Sequence, residues 1–380
     1  MTTAGGQGRA ESARTPPMGW NSWNQVRCYD LTEGVVRAAA DALVSSGLRD
    51  KGYRYVVVDD CWQAYERGPG GELRAHPERF PNGIAALASY VHERGLLFGI
   101  YATPGSDTCA MRWDDYPGHL LGSYGHERQD AEQFAAWGVD FLKYDWCQAD
   151  VSDGLSAEPA FRTMRQMLDA LERPIVYSIS EYGEHDPWTW APGIAEQWRT
   201  TQDLQPTWAS VARVIASQAA LADFTGRPGG WNDPDMLQIG NGSLTLEECR
   251  SHMSFWAILN APLFIGTDIA ALSAELLAIL GNEEVIAIDQ DFAGSQGRRV
   301  WRDDGAEIWT KALSDGGLAV IAYNPSGQRR SIDCTPERLR LPGAPARAVR
   351  DLWTGTELGP VGTRLSVTVP PHGVRMLRLI

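Results

Sequence analysis

From about residue 18 the chain repeats one unit eight times, a short β-rich apolar run followed by a segment periodic enough for an amphipathic helix. The runs are "MGWNSW", "YRYVVVDD", "LLFGIYA", "DFLKYDW", "PIVYSIS", "AEQWRT", "GGWNDPDM" and "APLFIGTD". Between them lie stretches such as "LTEGVVRAAADALVSSGLRDKG" and "PNGIAALASYVHERG". Their apolar residues recur every three or four positions and they end at glycine, as helix C-termini often do. Eight strand–helix units in roughly 280 residues predict an α/β fold, a (β/α)8 TIM barrel rather than an open doubly wound sheet. After "VIAIDQDFAG" the pattern changes to short alternating segments, "AEIWTKAL", "LAVIAYN", "RAVRDLW" and "RLSVTVP", which predict an antiparallel β-domain. The expected organisation is a disordered leader over 1–14, the barrel over 15–295 and the C-terminal β-domain over 296–380.

Composition narrows the ligand. A formal net charge of -14 argues against nucleic acid, whose phosphates need clustered Lys and Arg. No run of about 18 apolar residues exists to span a membrane. The polar N-terminus "MTTAGGQGRAESARTPP" has no apolar h-region, so a cytoplasmic protein is expected, or a secreted one that has lost its leader. Six cysteines without zinc-ligand spacing predict no metal, and nothing else implies a cofactor. Fifteen Trp and twelve Tyr serve a large core first, with a few left for the apolar faces of sugars.

The active site of such a barrel lies at the C-terminal ends of its strands. Those ends carry Trp23, Asp59, Asp60, Tyr101, Lys143, Asp145, Glu181, Arg199, Asp203, Asp235 and Asp268. Any one of these polar residues could simply cap the following helix, but a ring of them is a site. Carboxylates, two cations and aromatics without a phosphate loop suit a neutral polyhydroxylated ligand. Lys143 and Asp145 share one strand face, two residues apart. An adjacent ammonium is expected to hold the Asp145 carboxyl low and ionised, as a nucleophile requires. The partner acid is not settled by spacing; "NDPD", with Asp235, is the more conspicuous string, and Asp203 could be a helix cap.

"PPMGWNSWN", "VVVDDCWQ", "GIYATPG" followed by "TCA", "FLKYDWC", "WRTTQDL", "GGWNDPDMLQIGNG" and "APLFIGTD" resemble, in order, the motif series of glycoside hydrolase family 27, the clan D α-galactosidases and α-N-acetylgalactosaminidases. The resemblance covers residues 16 to about 292. It implies a barrel followed by a β-sandwich, and a retaining, cofactor-free double displacement on a galactose-terminated oligosaccharide or glycoconjugate. It assigns Asp145 as nucleophile and Asp203 as acid/base. Asp59 and Asp60 are implied for the 6- and 4-hydroxyls, Lys143 for O3 and O4, Trp23 and Tyr101 as aromatic walls, and Arg199 and Asp235 on the O2 and O3 side. Glu181 matches the acidic partner of the 2-hydroxyl, and Cys109 and Tyr182 complete the set. Disulfides Cys28–Cys61 and Cys109–Cys147 are implied, with Cys249 and Cys334 left free.

The chain departs from the family at strand five. Ser180 and Ala195 stand where a third bridge is usual, and Tyr182 replaces a Trp near the C2 substituent. Small residues in that loop would mark an α-N-acetylgalactosaminidase, and a longer acid near C6 a β-L-arabinopyranosidase. Glu181 and the short pair Asp59 and Asp60 favour galactose. A non-catalytic sugar-binding protein, the reading from another class, is disfavoured because both carboxylates are present.

Overall fold

A computed structural model describes residues 13–226, 230–341, 347–361 and 364–380. Most of the expected leader, residues 1–12, lies outside them. Eight parallel strands form the first sheet: β1 (Met18–Asn21), β2 (Tyr55–Val58), β3 (Leu97–Ala102), β4 (Phe141–Asp145), β5 (Val176–Ser180), β6 (Gln197–Arg199), β7 (Trp231–Asp233) and β8 (Leu263–Ile265). Their order is β7-β6-β5-β4-β3-β2-β1-β8, and Leu237, just past β7, bridges Ile265 in parallel to close the ring. The strands are buried almost throughout, as expected when helices cover the outside and side chains fill the inside.

Alternation assigns each side chain its layer. On β4, Leu142 and Tyr144 point out to the helix layer, where Tyr144 meets Phe161 and Tyr177. Phe141 points in and plugs the barrel floor with Tyr55 and Phe264, at ring-centroid distances of 5.4 and 5.3 Å. Above that plug the interior turns polar, with Asn21, Lys143, Ser178, Gln197, Arg199 and Asp233 around a second, small void.

The C-terminal unit has a six-stranded antiparallel sheet, in order β14-β13-β16-β11-β10-β9, and a two-stranded one, β12-β15. The strands are β9 (Arg298–Asp303), β10 (Ala306–Ala312), β11 (Leu318–Tyr323), β12 (Arg330–Cys334), β13 (Arg347–Asp351), β14 (Thr356–Val361), β15 (Leu365–Val369) and β16 (Val374–Leu379). Ile308, Val320 and Leu377 on one sheet pack against Ile332, Val367 and Val369 on the other, which makes a β-sandwich. The opposite face of the larger sheet docks on the barrel. Trp309 and Tyr323 both set their edges against Phe255, at 5.5 and 4.9 Å.

Phe255 belongs to the helix Leu246–Leu259, which carries a capping box between Thr245 and Glu248 and is buried along nearly its whole length. It lies between the barrel and the sandwich and touches both. His372, on the turn between β15 and β16, adds a clamp. Its ring stacks on Trp208 at 5.0 Å, its Nδ1 lies 2.7 Å from Glu248 Oε1, and its carbonyl accepts from Ser251 Oγ at 2.7 Å. Trp208 opens the helix Trp208–Gln218.

Close packing between β1 and β2 depends on Gly19, because a Cβ there would lie 2.2 Å from the Tyr55 carbonyl oxygen. Gly19→Ala is expected to destabilise the fold by about 1–3 kcal/mol, the usual cost of overpacking. A urea midpoint equal to that of the parent protein would contradict this packing.

Candidate active site

The inward parity of β4 carries Phe141, Lys143 and Asp145 up the inside of the barrel, from floor to mouth. Lys143 Nζ donates to Asp59 Oδ2 at 2.7 Å, and the same oxygen accepts from Asn21 Nδ2 at 2.7 Å. Asp145 Oδ2 stands farther from Nζ, at 3.9 Å. The close partner of Lys143 is therefore Asp59, and Asp145 holds the looser half of the pair. Burial alone would lower the lysine pKa, but Asp59 and Asp145 outweigh it and raise it, so the ammonium stays charged.

Asp145 departs from the expected low, ionised carboxyl, and its own burial is the reason. Burial pushes its carboxyl up to about 6, against the lowering effect of Lys143 and the nearby Tyr182 hydroxyl; Asp203 and Asp59 add to the rise. Its Oδ1 accepts no hydrogen bond in the structure, although Asp145 is only 5% exposed and lines the cavity.

Asp203 follows β6, and its side chain is 55% exposed. Arg199 Nη2 donates to its Oδ1 at 3.1 Å. Burial would raise its carboxyl, but Arg199 first and then Lys143 hold it below the usual range. Asp203 is not the cap of the next helix; Thr207 is, its Oγ1 accepting from Ser210 N. Arg199 Nη1 also lies 3.2 Å from Asp235 Oδ1, while Asp235 Oδ2 accepts from Leu204 N at 2.7 Å. Asp235 thus holds the strand-six loop from the neighbouring strand. Its φ of 88° is strained for an Asp, and it lies between β7 and the bridge that closes the barrel. Burial pushes its carboxyl up to about 6 against Arg199.

Asp60 accepts from Ala110 N and Cys61 N, at 2.8 and 2.7 Å, and burial pushes it up to about 7. The Tyr101 ring lies 5.5 Å from Lys143 Nζ, and its hydroxyl accepts from Cys109 N at 3.2 Å. Tyr182, left-handed at φ 64°, sets its hydroxyl 3.1 Å from Cys109 Sγ. Both disulfides, Cys28–Cys61 and Cys109–Cys147, are present and tie together the loops after β1, β2, β3 and β4; Cys249 and Cys334 are free and buried.

One cavity of about 310 Å³ collects Trp23, Asp59, Asp60, Tyr101, Cys109, Lys143, Asp145, Tyr182, Arg199, Asp203 and Asp235. Of the site residues read from the sequence, Glu181 does not reach it. Strand parity explains the miss: Ser178 and Ser180 point inward, so Glu181 points out. There its Oε2 accepts from His185 N at 2.9 Å, and burial pushes its carboxyl up to about 7. Asp268 also stays outside, capping a short 3-10 turn through Ala270 N. The sequence reading missed Asn24, Arg27, Trp113, Asp114, Gln148, Glu184, Gln202 and Met236, which line the cavity from loops and helix ends. No periodicity marks such positions. Among the described residues, Cys109, Asp145 and Cys147 lie close enough to suggest a metal site, but the disulfide leaves no thiolate there.

A barrel whose strand ends gather buried and rim carboxylates around two cations places the chain among the barrel glycosidases. Residues 15–291 match the family described as α-galactosidase A, and residues 303–379 match the α-galactosidase C-terminal β-sandwich domain. The chain belongs to this α-galactosidase family, glycoside hydrolase family 27. It is 42% identical to an α-galactosidase of Cyamopsis tetragonoloba over 363 residues, 96% of this chain and 85% of the relative. It is 45% identical to α-galactosidase 3 of Arabidopsis thaliana over 344 residues, 90% and 76% of the two chains. The crystal structure of α-galactosidase I from Mortierella vinacea superposes with a TM-score of 0.92 at 34% identity, covering 98% of each chain.

The raised Asp145 carboxyl has a consequence for stability. The folded protein holds that proton more tightly than the unfolded chain does. The contribution of Asp145 is therefore most favourable at low pH, and it is lost as pH rises from about 4 to about 6. Asp145→Asn is expected to be more stable than the parent at pH 7, by on the order of 1–3 kcal/mol, with the gain vanishing near pH 4. Urea unfolding at the two pH values checks both the size and the sign.

Proposed function

We propose that this protein is an α-galactosidase, a retaining exo-glycosidase that removes terminal α-D-galactosyl residues from oligosaccharides or glycoconjugates. The observation that carries the reading is Asp145, buried at the cavity wall with Oδ1 unbonded, in the same cavity as the rim carboxylate Asp203. The relatives named above support the substrate. A cavity with a closed, buried floor suits a chain end rather than a chain interior.

In this reading Asp145 attacks the anomeric carbon while Asp203 gives its proton to the departing oxygen. Water, deprotonated by Asp203, then opens the glycosyl ester, and two inversions return the α-anomer. Asp59 and Lys143, locked to each other, and Asp60 bind the far hydroxyls. Trp23 and Tyr101 wall the ring, and Arg199 and Asp235 serve the O2 and O3 side. Since Glu181 faces away, the C2 wall falls to Tyr182. Its ring is not small, which supports a hydroxyl there over an acetamido group. The two disulfides support an oxidising compartment over the cytoplasm.

Hydrolysis of p-nitrophenyl α-galactoside, followed by NMR, tests the proposal: α-galactose is expected first, and early β-galactose would refute double displacement. Asp145→Asn should lose turnover even of activated aryl galactosides, because an amide forms no glycosyl ester. Asp203→Asn should lose about 10²–10⁴-fold on alkyl galactosides and far less on nitrophenyl ones, which depart without a proton. Equal losses on both would move the acid role to Asp235.

The productive free enzyme has Asp145 ionised and Asp203 protonated. With Asp145 near 6 and Asp203 held low, the pair carries one proton between those values and loses it above about pH 6. We therefore expect kcat/KM to peak on the acid side and fall above about pH 6; a plateau reaching pH 8 would contradict this.

A further inference from the structure

The cavity changes character from floor to mouth. Asp59, Asp60, Tyr101, Asp145 and Asp235 are buried, whereas Arg27, Trp113, Gln148, Glu184, Gln202 and Asp203 are exposed. Asp203 would protonate the departing oxygen, so the exposed residues around it surround the aglycone rather than the galactose.

Trp113 is the unusual member of that rim. Seven tryptophans of this chain are fully buried, yet Trp113 is 52% exposed at the edge of a cavity. It is also held firmly. The helix Cys109–Trp113 starts at a disulfide cysteine and is capped by Thr108. Immediately after it, Arg27 Nη2 donates to Asp114 Oδ1 at 3.2 Å, and the Tyr29 hydroxyl lies 3.1 and 3.2 Å from the carbonyls of Asp114 and Asp115. An indole kept in water on a tethered segment is a preformed platform for an apolar ring face.

Hydrogen-bonding groups complete the rim. Gln202 Nε2 donates to Glu184 Oε1 at 2.7 Å, next to Asp203. The loop after β5 reaches that position because residue 183 is glycine: its φ is +78°, and a Cβ would lie 2.4 Å from the Thr200 carbonyl oxygen. The pair keeps both a free amide hydrogen and carboxylate lone pairs for a ligand.

We infer that this rim is an acceptor subsite for a sugar aglycone, in which Trp113 stacks on the C–H face of the leaving pyranose and Glu184 with Gln202 bonds its hydroxyls. The inference rests on the α-galactosidase reading and narrows it: the substrate class is galactosyl oligosaccharides, not galactose carried on a lipid or a simple alcohol. A lipid chain would offer nothing to the amide hydrogen and carboxylate lone pairs that the Glu184–Gln202 pair leaves free, and covering those unpaired would count against it.

The test compares kcat/KM for a galactosyl-hexose disaccharide with that for methyl α-galactoside. Both leaving groups are alcohols of similar acidity, so the ratio isolates the aglycone ring. Because both substrates are measured on the same preparation, any loss of folded enzyme cancels. Trp113→Ala is expected to lower the ratio at least fivefold, Trp113→Phe to restore most of it, and Glu184→Ala to lower it independently. A wild-type enzyme that cleaves neither substrate overturns the galactosidase reading itself. An enzyme that cleaves both, with a ratio left within twofold by Trp113→Ala and by Glu184→Ala, overturns the acceptor subsite alone.

Discussion

Lys143 is the charge on which the rest of the site depends. Two carboxylates, Asp59 and Asp145, face it in a buried cavity where like charges repel with little help from water. Remove the ammonium, and the two carboxylates would face each other uncompensated. Arg199 repeats the device between Asp203 and Asp235. The pocket is thus two acid–cation–acid groups whose cations stand on β4 and β6, separated by β5. In the first group the cation is drawn to the ligand-holding acid, at 2.7 Å, and stands back from the proposed nucleophile, at 3.9 Å. That asymmetry keeps Asp145 available: a carboxylate fully engaged by Lys143 would have little reactivity left for the sugar.

The barrel was legible because its signal is repeated. Eight apolar runs with helical spacers leave few alternatives, and the inward parity of Phe141, Lys143 and Asp145 follows from β4 alone. Candidate site residues on strands or directly at their ends therefore mostly line the cavity. Glu181 shows where the reasoning failed. It sits one residue past a strand whose inward side is set by Ser178 and Ser180, and counting parity would have turned it outward. The electrostatic expectation for Asp145 failed differently. Lys143 does lower its carboxyl, but burial, which spacing does not reveal, raises it by more, and Lys143 itself is drawn to Asp59, 84 residues away. The rim was illegible because Trp113, Glu184 and Gln202 owe their position to a helix end and to loops that no periodicity describes.

The loops that bring them there are restrained unusually well for surface segments. Two disulfides, the Arg27–Asp114 contact and the abutment at Gly183 fix the mouth before any ligand arrives. Binding then orders little further chain, which favours affinity through preorganisation more than through added contact area.

The clamp at His372 bears on how such proteins can be recombined. Its ring lies on Trp208, five residues after Asp203, and its Nδ1 meets Glu248 on the helix that also touches the sandwich through Phe255. The sandwich is thus a buttress behind the loop that carries the proposed acid. A chimera that joins this barrel to a relative's sandwich would inherit that duty only if the donor turn also presented a flat ring to Trp208 and a hydrogen-bonding partner to Glu248. The two units are consecutive in the chain, but they are not interchangeable parts.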